Sequence, residues 1–501
     1  MLKTKQSIQS EMFIMKNKKS SYWEQIQKEQ SIKIFKKTYG KVAAYKKFIN
    51  NNKIKFSKIK EYDDFLTLPT ISKNNYLKIF PRQDLLYGNE PISPSVFTST
   101  SGSTGKPFFF LRNYIVDLRC SIFMENFIRK GNDKMPTTLV IICFGMGVWI
   151  GGLITFRAFD ILSRRNNFPI SIITPGINKK EILNILKELA NEYDQIVFAG
   201  YPPLIKDIID ESDRLNLPFL KTKKIKVKFA AEAISEKLRD YIADKTNMQN
   251  MYLDTVNVYG SADIGAMAVE TTTSILIKRL LMKNKKAFKA LFSITNKTPT
   301  LAQYNPNFVN FEEINGSIIL TSDSILPLVR YEIGDKGGVF SYEKINKVLK
   351  KHGIDIKNEA RKLKIEDEIS EMPFVYVYER EDLSTTLYGL WIYPEWLRNA
   401  MYHPIPQKNI TGKFTLITKF DKDNNQYLEL NVELKKNQSG SEELILQISD
   451  LVIQSLKENS SEYGELINHI KDRAHPKIKL WSYEHDLHFS PKIKQQWVKT
   501  Q

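Results

Sequence analysis

Between residues 139 and 245 four short strand-like runs alternate with four helix-patterned segments, and this alternation narrows the fold more than any other feature. The runs are Leu139–Phe144, Ile170–Thr174, Gln195–Ala199 and Lys226–Ala231. Trp149–Leu162, Lys179–Glu192, Pro203–Leu215 and Ser235–Lys245 separate and follow them. In Lys179–Glu192 the apolar residues Ile182, Leu183, Ile185, Leu186 and Leu189 recur at helical spacing. Strands joined by helices in this way predict an α/β chain with a mostly parallel sheet flanked by helices. Ligands in such sheets sit beyond the carboxyl ends of the strands, which directs attention to the residues there.

At 501 residues the chain exceeds what one hydrophobic core organises, so two or more domains are expected. Residues 1–95 read as a helical, basic region, with Ser72 placed to cap a helix after Leu68-Pro69-Thr70-Ile71. Near residue 376 the pattern changes. Lys413–Phe420, Tyr427–Lys435 and Ile478–Tyr483 read as strands and Glu442–Glu458 as a helix, which predicts a small α+β domain. The expected division is therefore residues 1–378, a hinge at 379–382, and residues 383–501.

Met135–Phe156 carries no charge, but Pro136 and four glycines argue for a buried strand and turn rather than a membrane span. Thr271–Leu291 reads as a basic amphipathic helix. Such a helix docks a membrane or an acidic partner, or packs its apolar side on its own core.

Lysines are spread along the whole chain, so the net charge of +18 marks no nucleic-acid-binding module. Attraction of anionic substrates is the functional use this charge allows. Two cysteines exclude a disulfide framework, six scattered histidines form no metal cluster, and the N-terminus has no signal-peptide pattern. These features fit a cytoplasmic protein.

Thr98–Pro107, Thr-Ser-Thr-Ser-Gly-Ser-Thr-Gly-Lys-Pro, packs six hydroxyl side chains, two glycines and one lysine into ten residues. Its glycines free backbone N–H groups to face an anion, and its hydroxyls and lysine add donors and charge. A Walker phosphate loop needs a glycine where Thr100 stands and a hydroxyl residue where Pro107 stands. Both requirements fail. The stretch reads as a polyphosphate-holding loop of another kind.

Together with four later segments, this loop resembles the signature motifs of the adenylate-forming superfamily, the acyl-CoA synthetases and their relatives. Phe229-Ala-Ala-Glu-Ala-Ile234 resembles the segment that packs on adenine, and Tyr259-Gly-Ser-Ala-Asp263 the Tyr-Gly-x-Thr-Glu motif. Pro327-Leu-Val-Arg-Tyr-Glu-Ile-Gly-Asp335 resembles the Pro-Leu-x-Arg-Tyr-x-x-Gly-Asp run, and Glu379-Arg-Glu-Asp382 the hinge. Gly200-Tyr-Pro-Pro203, Ala230-Ala-Glu232 and Leu68–Lys73 look most like the phenylacetate–CoA ligase branch, which includes capsular-polysaccharide adenylyltransferase-like proteins.

The resemblance implies the adenylate-forming enzyme fold, with a large domain and a small mobile one. It implies that ATP, Mg²⁺ and a carboxylic acid react to an acyl-adenylate with release of pyrophosphate. The acyl group then passes to CoA or to a phosphopantetheinyl carrier protein. Ser101, Gly102, Ser103, Thr104, Gly105 and Lys106 would hold the phosphates. Ala231, Glu232, Tyr259, Gly260, Ser261, Arg330 and Asp335 would bind the nucleoside, with Asp335 on the ribose hydroxyls and Tyr259 on adenine. Asp263 stands where a glutamate usually holds the metal, and Ala262 where a hydroxyl residue is usual.

Arg380 and Asp382 fall in the hinge. Lys492 in Ser490-Pro-Lys-Ile-Lys494 takes the late catalytic lysine's place, with Lys494 as the alternative. Tyr201, Pro202, Trp149 and Ala262 would line the acid pocket, whose apolar, aromatic character suits an aryl or medium acyl acid. Ala262, Asp263 and Pro491 depart from the pattern, which leaves a non-catalytic nucleotide-binding homologue open. An acyl-AMP ligase serving an amine, sugar or lipid acceptor is the other alternative.

Overall fold

The computed structural model describes residues 5–89, 95–99, 108–166, 168–292, 294, 298–378, 385–401, 403–489 and 498–499. Its dominant element is an eleven-stranded mixed sheet. One half comprises β3 (Thr138–Cys143), β4 (Ile170–Ile173), β5 (Gln195–Gly200), β6 (Lys224–Ala230) and β7 (Thr255–Ser261), all parallel in the order β4-β3-β5-β6-β7. Every residue of β3 and β5 is buried, which is why these strands read as continuous apolar runs. Helices Ile150–Asn166, Lys179–Leu189, Pro202–Arg214 and Glu236–Lys245 cover the faces. Ser235 caps the last of these by accepting the Leu238 N–H, as Ser72 accepts that of Asn75.

The other half is antiparallel: β8 (Gly265–Val269), β9 (Thr300–Gln303), β10 (Val309–Ile314), β11 (Ser317–Ser322), β12 (Leu328–Phe340) and β13 (Phe374–Tyr378). The expected mostly parallel sheet thus holds for five of its eleven strands. A separate hairpin pairs β1 (Ser95–Ser99) with β2 (Phe109–Asn113), placing Ser99 opposite Phe109. Helices Lys5–Asn17, Ser20–Lys41 and Ala43–Asn51 form the N-terminal region.

Toward the C-terminus, β14 (Thr385–Leu387) pairs with β15 (Leu390–Ile392). A four-stranded sheet then joins β16 (Ile410–Phe420), β17 (Gln426–Leu434), β18 (Lys477–Trp481) and β19 (Val498–Lys499) in the order β18-β17-β16-β19. Helices Glu442–Asn459 and Ser461–Ile470 pack with this sheet.

The segment 271–291 is two helices, Thr272–Lys283 and Lys285–Leu291, with Asn284 capping the second. Their apolar residues pack within the protein against Phe340, Ile345, Leu349, Ile356 and Phe374. Lys278 pairs with Glu236 at 2.7 Å and Glu270 at 2.5 Å, and Arg279 with Glu236 and Asp240, both at 2.6 Å. Of the two alternatives for this stretch, packing of its apolar side on the protein's own core is the one observed. Among the described residues no helix is long and apolar enough to cross a membrane.

Candidate active site

The carboxyl ends of β3, β5, β6 and β7 open onto a cavity of about 290 Å³. Each strand delivers a turn to it. After β3 the chain runs through Phe144 to Trp149 and the helix Ile150–Asn166; after β5 come Gly200 and Tyr201. A Cβ at Gly200 would lie 2.8 Å from that of Cys143 on the neighbouring strand, so only glycine fits there. At the end of β6 Ala231 takes φ +74°, a left-handed conformation that costs a residue with a side chain free energy. Such strain persists where the surroundings impose it, commonly at ligand sites.

Trp149, Tyr201, Ala231, Gly260, Ser261, Ala262, Asp263 and Asp335 all line this one cavity, so five separated stretches of sequence converge. The Tyr259 hydroxyl donates to Asp335 Oδ2 at 2.6 Å, joining β7 to β12 at one end of it. Gly260 has a backbone reason of its own: a Cβ there would stand 2.6 Å from the Gly265 carbonyl across the β7–β8 turn. Ser99 and Phe108, which flank the Gly/Ser-rich stretch, also line the cavity.

Asp263 is held on one oxygen. Its Oδ2 accepts the Tyr331 hydroxyl at 2.5 Å and lies 3.2 Å from Lys73 Nζ. Among the described residues no cluster of three or more His, Cys, Asp or Glu side chains could cage a metal. A Mg²⁺ held there would need its other ligands from phosphate oxygens and water.

Three expected residues are placed elsewhere. Pro202 and Glu232 line an adjoining groove of about 560 Å³ shared with β14, β16 and β17 residues. Glu232 holds the C-terminal part: it accepts the Gly389 N–H and, at 3.2 Å, the Gln426 side-chain amide. Arg330 does not line the cavity. It is buried at φ +51°, paired with Glu312 at 3.0 Å and donating to the Leu66 and Leu68 carbonyls. Its guanidinium ties the N-terminal region to β10 and β12. Ser101–Lys106, Arg380, Asp382, Lys492 and Lys494 lie outside the described residues.

The lining also holds residues the sequence reading passed over. Lys228, on β6, is buried in what was expected to be an apolar, aromatic pocket. Its Nζ donates to Thr155 Oγ1 at 2.8 Å and sits 4.4 Å over the Phe144 ring. Burial pushes its pKa down to about 8. Glu462, from the helix Ser461–Ile470, reaches the cavity as well, and burial, reinforced by Glu465, raises its pKa to about 7. A signal for Lys228 was present: Lys224, Lys226 and Lys228 alternate along a strand covered on both faces.

No protein-family model matches the chain, and no curated protein matches it. Among solved structures, 2-hydroxyisobutyryl-CoA ligase in complex with 2-HIB-AMP and CoA in the thioesterification state aligns over 97% of this chain and 91% of its own. The TM-score is 0.58 and the identity 12%. The same ligase in the postadenylation state with R3-HIB-AMP aligns over the same shares, with a TM-score of 0.52 and 13% identity. At such identities the likeness is one of fold. The chain has the fold of the adenylate-forming enzymes.

Proposed function

We propose that this protein activates a carboxylic acid with ATP, forming an acyl-adenylate and pyrophosphate, and then passes the acyl group to a thiol. The observation that carries the reading is the one cavity at the strand ends, lined both by Asp335, bonded to Tyr259, and by the aromatic rings of Phe144, Trp149 and Tyr201. Asp335 is an acceptor suited to ribose hydroxyls, and the aromatic lining accommodates the acid. The fold supports the reading further, because the similar ligase is solved with an acyl-adenylate and CoA.

The chemistry asks for positioning and charge stabilisation rather than a protein nucleophile. The acid's carboxylate attacks the α-phosphorus, and the bond to pyrophosphate breaks. Ser101–Lys106 hold the leaving phosphates, and Asp263 holds Mg²⁺, which neutralises phosphate charge when bound. Lys492, or Lys494 in its place, bridges the acid's carboxylate and the α-phosphate. Rotation of residues 383–501 about a hinge at Arg380–Asp382 would then admit CoA or a phosphopantetheinyl carrier, domain gating being a general device. The motifs favour the phenylacetate–CoA ligase-like branch, and the two free cysteines, Cys120 and Cys143, fit a cytoplasmic setting.

ATP–pyrophosphate exchange over a panel of carboxylic acids, with and without CoA, tests the reading. Exchange with at least one acid, followed by CoA-dependent thioester, is expected. Exchange without a thioester would move the acceptor to an amine, sugar or lipid. ATP binding with no exchange for any acid would make the protein a non-catalytic homologue.

A further inference from the structure

Four lysine side chains among the described residues are almost fully buried: Lys206, Lys226, Lys228 and Lys278. Three have an acidic partner. Lys206 lies 2.5 Å from Asp210, Lys226 2.8 Å from Asp254, and Lys278 2.5 Å from Glu270. Lys228 has none among the described residues. Its hydrogen-bond partner there is the Thr155 hydroxyl, which itself donates to the Gly151 carbonyl, and Phe144 offers a ring face. A buried ammonium without a counter-charge is costly, and the protein meets that cost with a carboxylate at every other such site. The one lysine left over lines the cavity.

Position within the sheet shows which part of a ligand it would meet. Lys228 is opposite Val256 in the β6–β7 register, three residues before Tyr259, which bonds to Asp335. At about 3.3 Å per strand residue, its backbone lies about 10 Å deeper along the strands than Tyr259. Its ammonium is held at Thr155 and Phe144.

We infer that Lys228 selects acids bearing a second anionic group at the end remote from the reacting carboxylate, making a short dicarboxylate the preferred substrate class. This rests on the adenylation reading for the orientation of the substrate. A second carboxylate would supply the missing counter-charge and take a charge-assisted hydrogen bond. Thr155 would orient the ammonium without neutralising it. An aryl or alkyl acid would leave the cation desolvated beside a methyl group or ring edge.

Calorimetric titration of the whole protein, saturated with a non-hydrolysable ATP analogue, with succinate, glutarate, butyrate and valerate tests this. Pyrophosphate exchange run on the same acids separates a failure of adenylation from a failure of selectivity. The wild type is expected to bind the diacids at least about tenfold more tightly than monoacids of equal length, consistent with one charge-assisted contact. Lys228→Met should abolish that preference while leaving monoacid affinity unchanged or improved, and Lys228→Arg should keep a diacid preference. Equal binding of mono- and diacids by the wild type, or no binding of any, would overturn the inference. So would a uniform loss across all four acids in folded Lys228→Met, which would place the lysine on the reacting carboxylate. A diacid preference without exchange would retain the anion site and remove adenylation.

Discussion

Lys73 Nζ stands 3.2 Å from Asp263 Oδ2, joining a residue just after the Leu68–Ile71 turn to the end of β7 at the edge of the cavity. Asp263→Asn keeps the shape of the side chain and its bond to Tyr331 while removing the charge. On the adenylation reading, exchange should fall by about 100-fold, the scale of losing one preorganised electrostatic group. The melting temperature should change little, because Lys73 is about one third exposed and can resolvate. Exchange at saturating magnesium alongside a thermal melt checks this. An unchanged rate would remove Asp263 from the chemistry.

Arg330 lies in the motif that the resemblance assigns to the nucleotide, yet its geometry is that of a buried strut. Arg330→Met leaves Glu312 as an uncompensated buried carboxylate and two carbonyls without their donor. The expected cost is about 3–5 kcal/mol by denaturant unfolding. Adding Glu312→Gln should recover part of it. The KM for ATP of the folded fraction should stay as in the wild type. A tenfold rise in that KM, with stability intact, would return Arg330 to the nucleotide.

The parallel half of the sheet was legible because buried strands betray themselves as apolar runs. The antiparallel half was not. The thirteen-residue β12 contains Gly334, Gly337 and Gly338, which give a loop's composition to a strand. Gly337 is there because a Cβ would collide with the Tyr376 carbonyl of the neighbouring strand, a constraint visible only after folding. The basic stretch 271–291 left docking and core packing open for a related reason: Glu236 and Glu270, which pair with Lys278, precede the helices. Motif residues could be matched in order from sequence. The Lys73–Asp263 pair depends on a long-range contact that no local pattern encodes, and the alternating lysines of β6 mark Lys228 without showing that it lines the cavity.

Glu232 is expected to act as a latch rather than a nucleoside ligand. It receives Gly389 and Gln426, while Gly389 itself, at φ +79°, lies so close to Tyr201 that a Cβ would sit 2.1 Å from the ring. Gly389→Ala therefore meets both backbone strain and overpacking, at a combined cost of about 2–4 kcal/mol. Because Gly389 and Tyr201 also line the cavity, the KM for the acid should rise more than the KM for ATP. Glu232→Gln should cost about 1–3 kcal/mol without that bias. Steady-state kinetics with unfolding curves would distinguish the two, and equal KM changes in Gly389→Ala would refute the local account.

Lys228 should leave its mark on stability as a function of pH. Burial holds its pKa near 8, whereas the unfolded chain keeps the ordinary lysine value of 10.5. Below about pH 8 the group is protonated in both states and the folded state carries the full penalty of burying the charge. Between about pH 8 and 10.5 the unfolded state binds more protons, so stability rises with pH, by up to about 3 kcal/mol across the window. Lys226 has its pKa lowered to about 8 too and contributes the same sense of slope, so the measurement must be a difference. Lys228→Met should be more stable than the wild type at pH 7, and the gap should close as pH approaches 10.5. The packing change brought by methionine is independent of pH and shifts the gap without altering its slope. Urea unfolding of both proteins at intervals from pH 7 to 10 measures that slope directly. A gap that stays constant over this range would mean that Lys228 carries no buried charge, and the diacid preference would lose its physical basis.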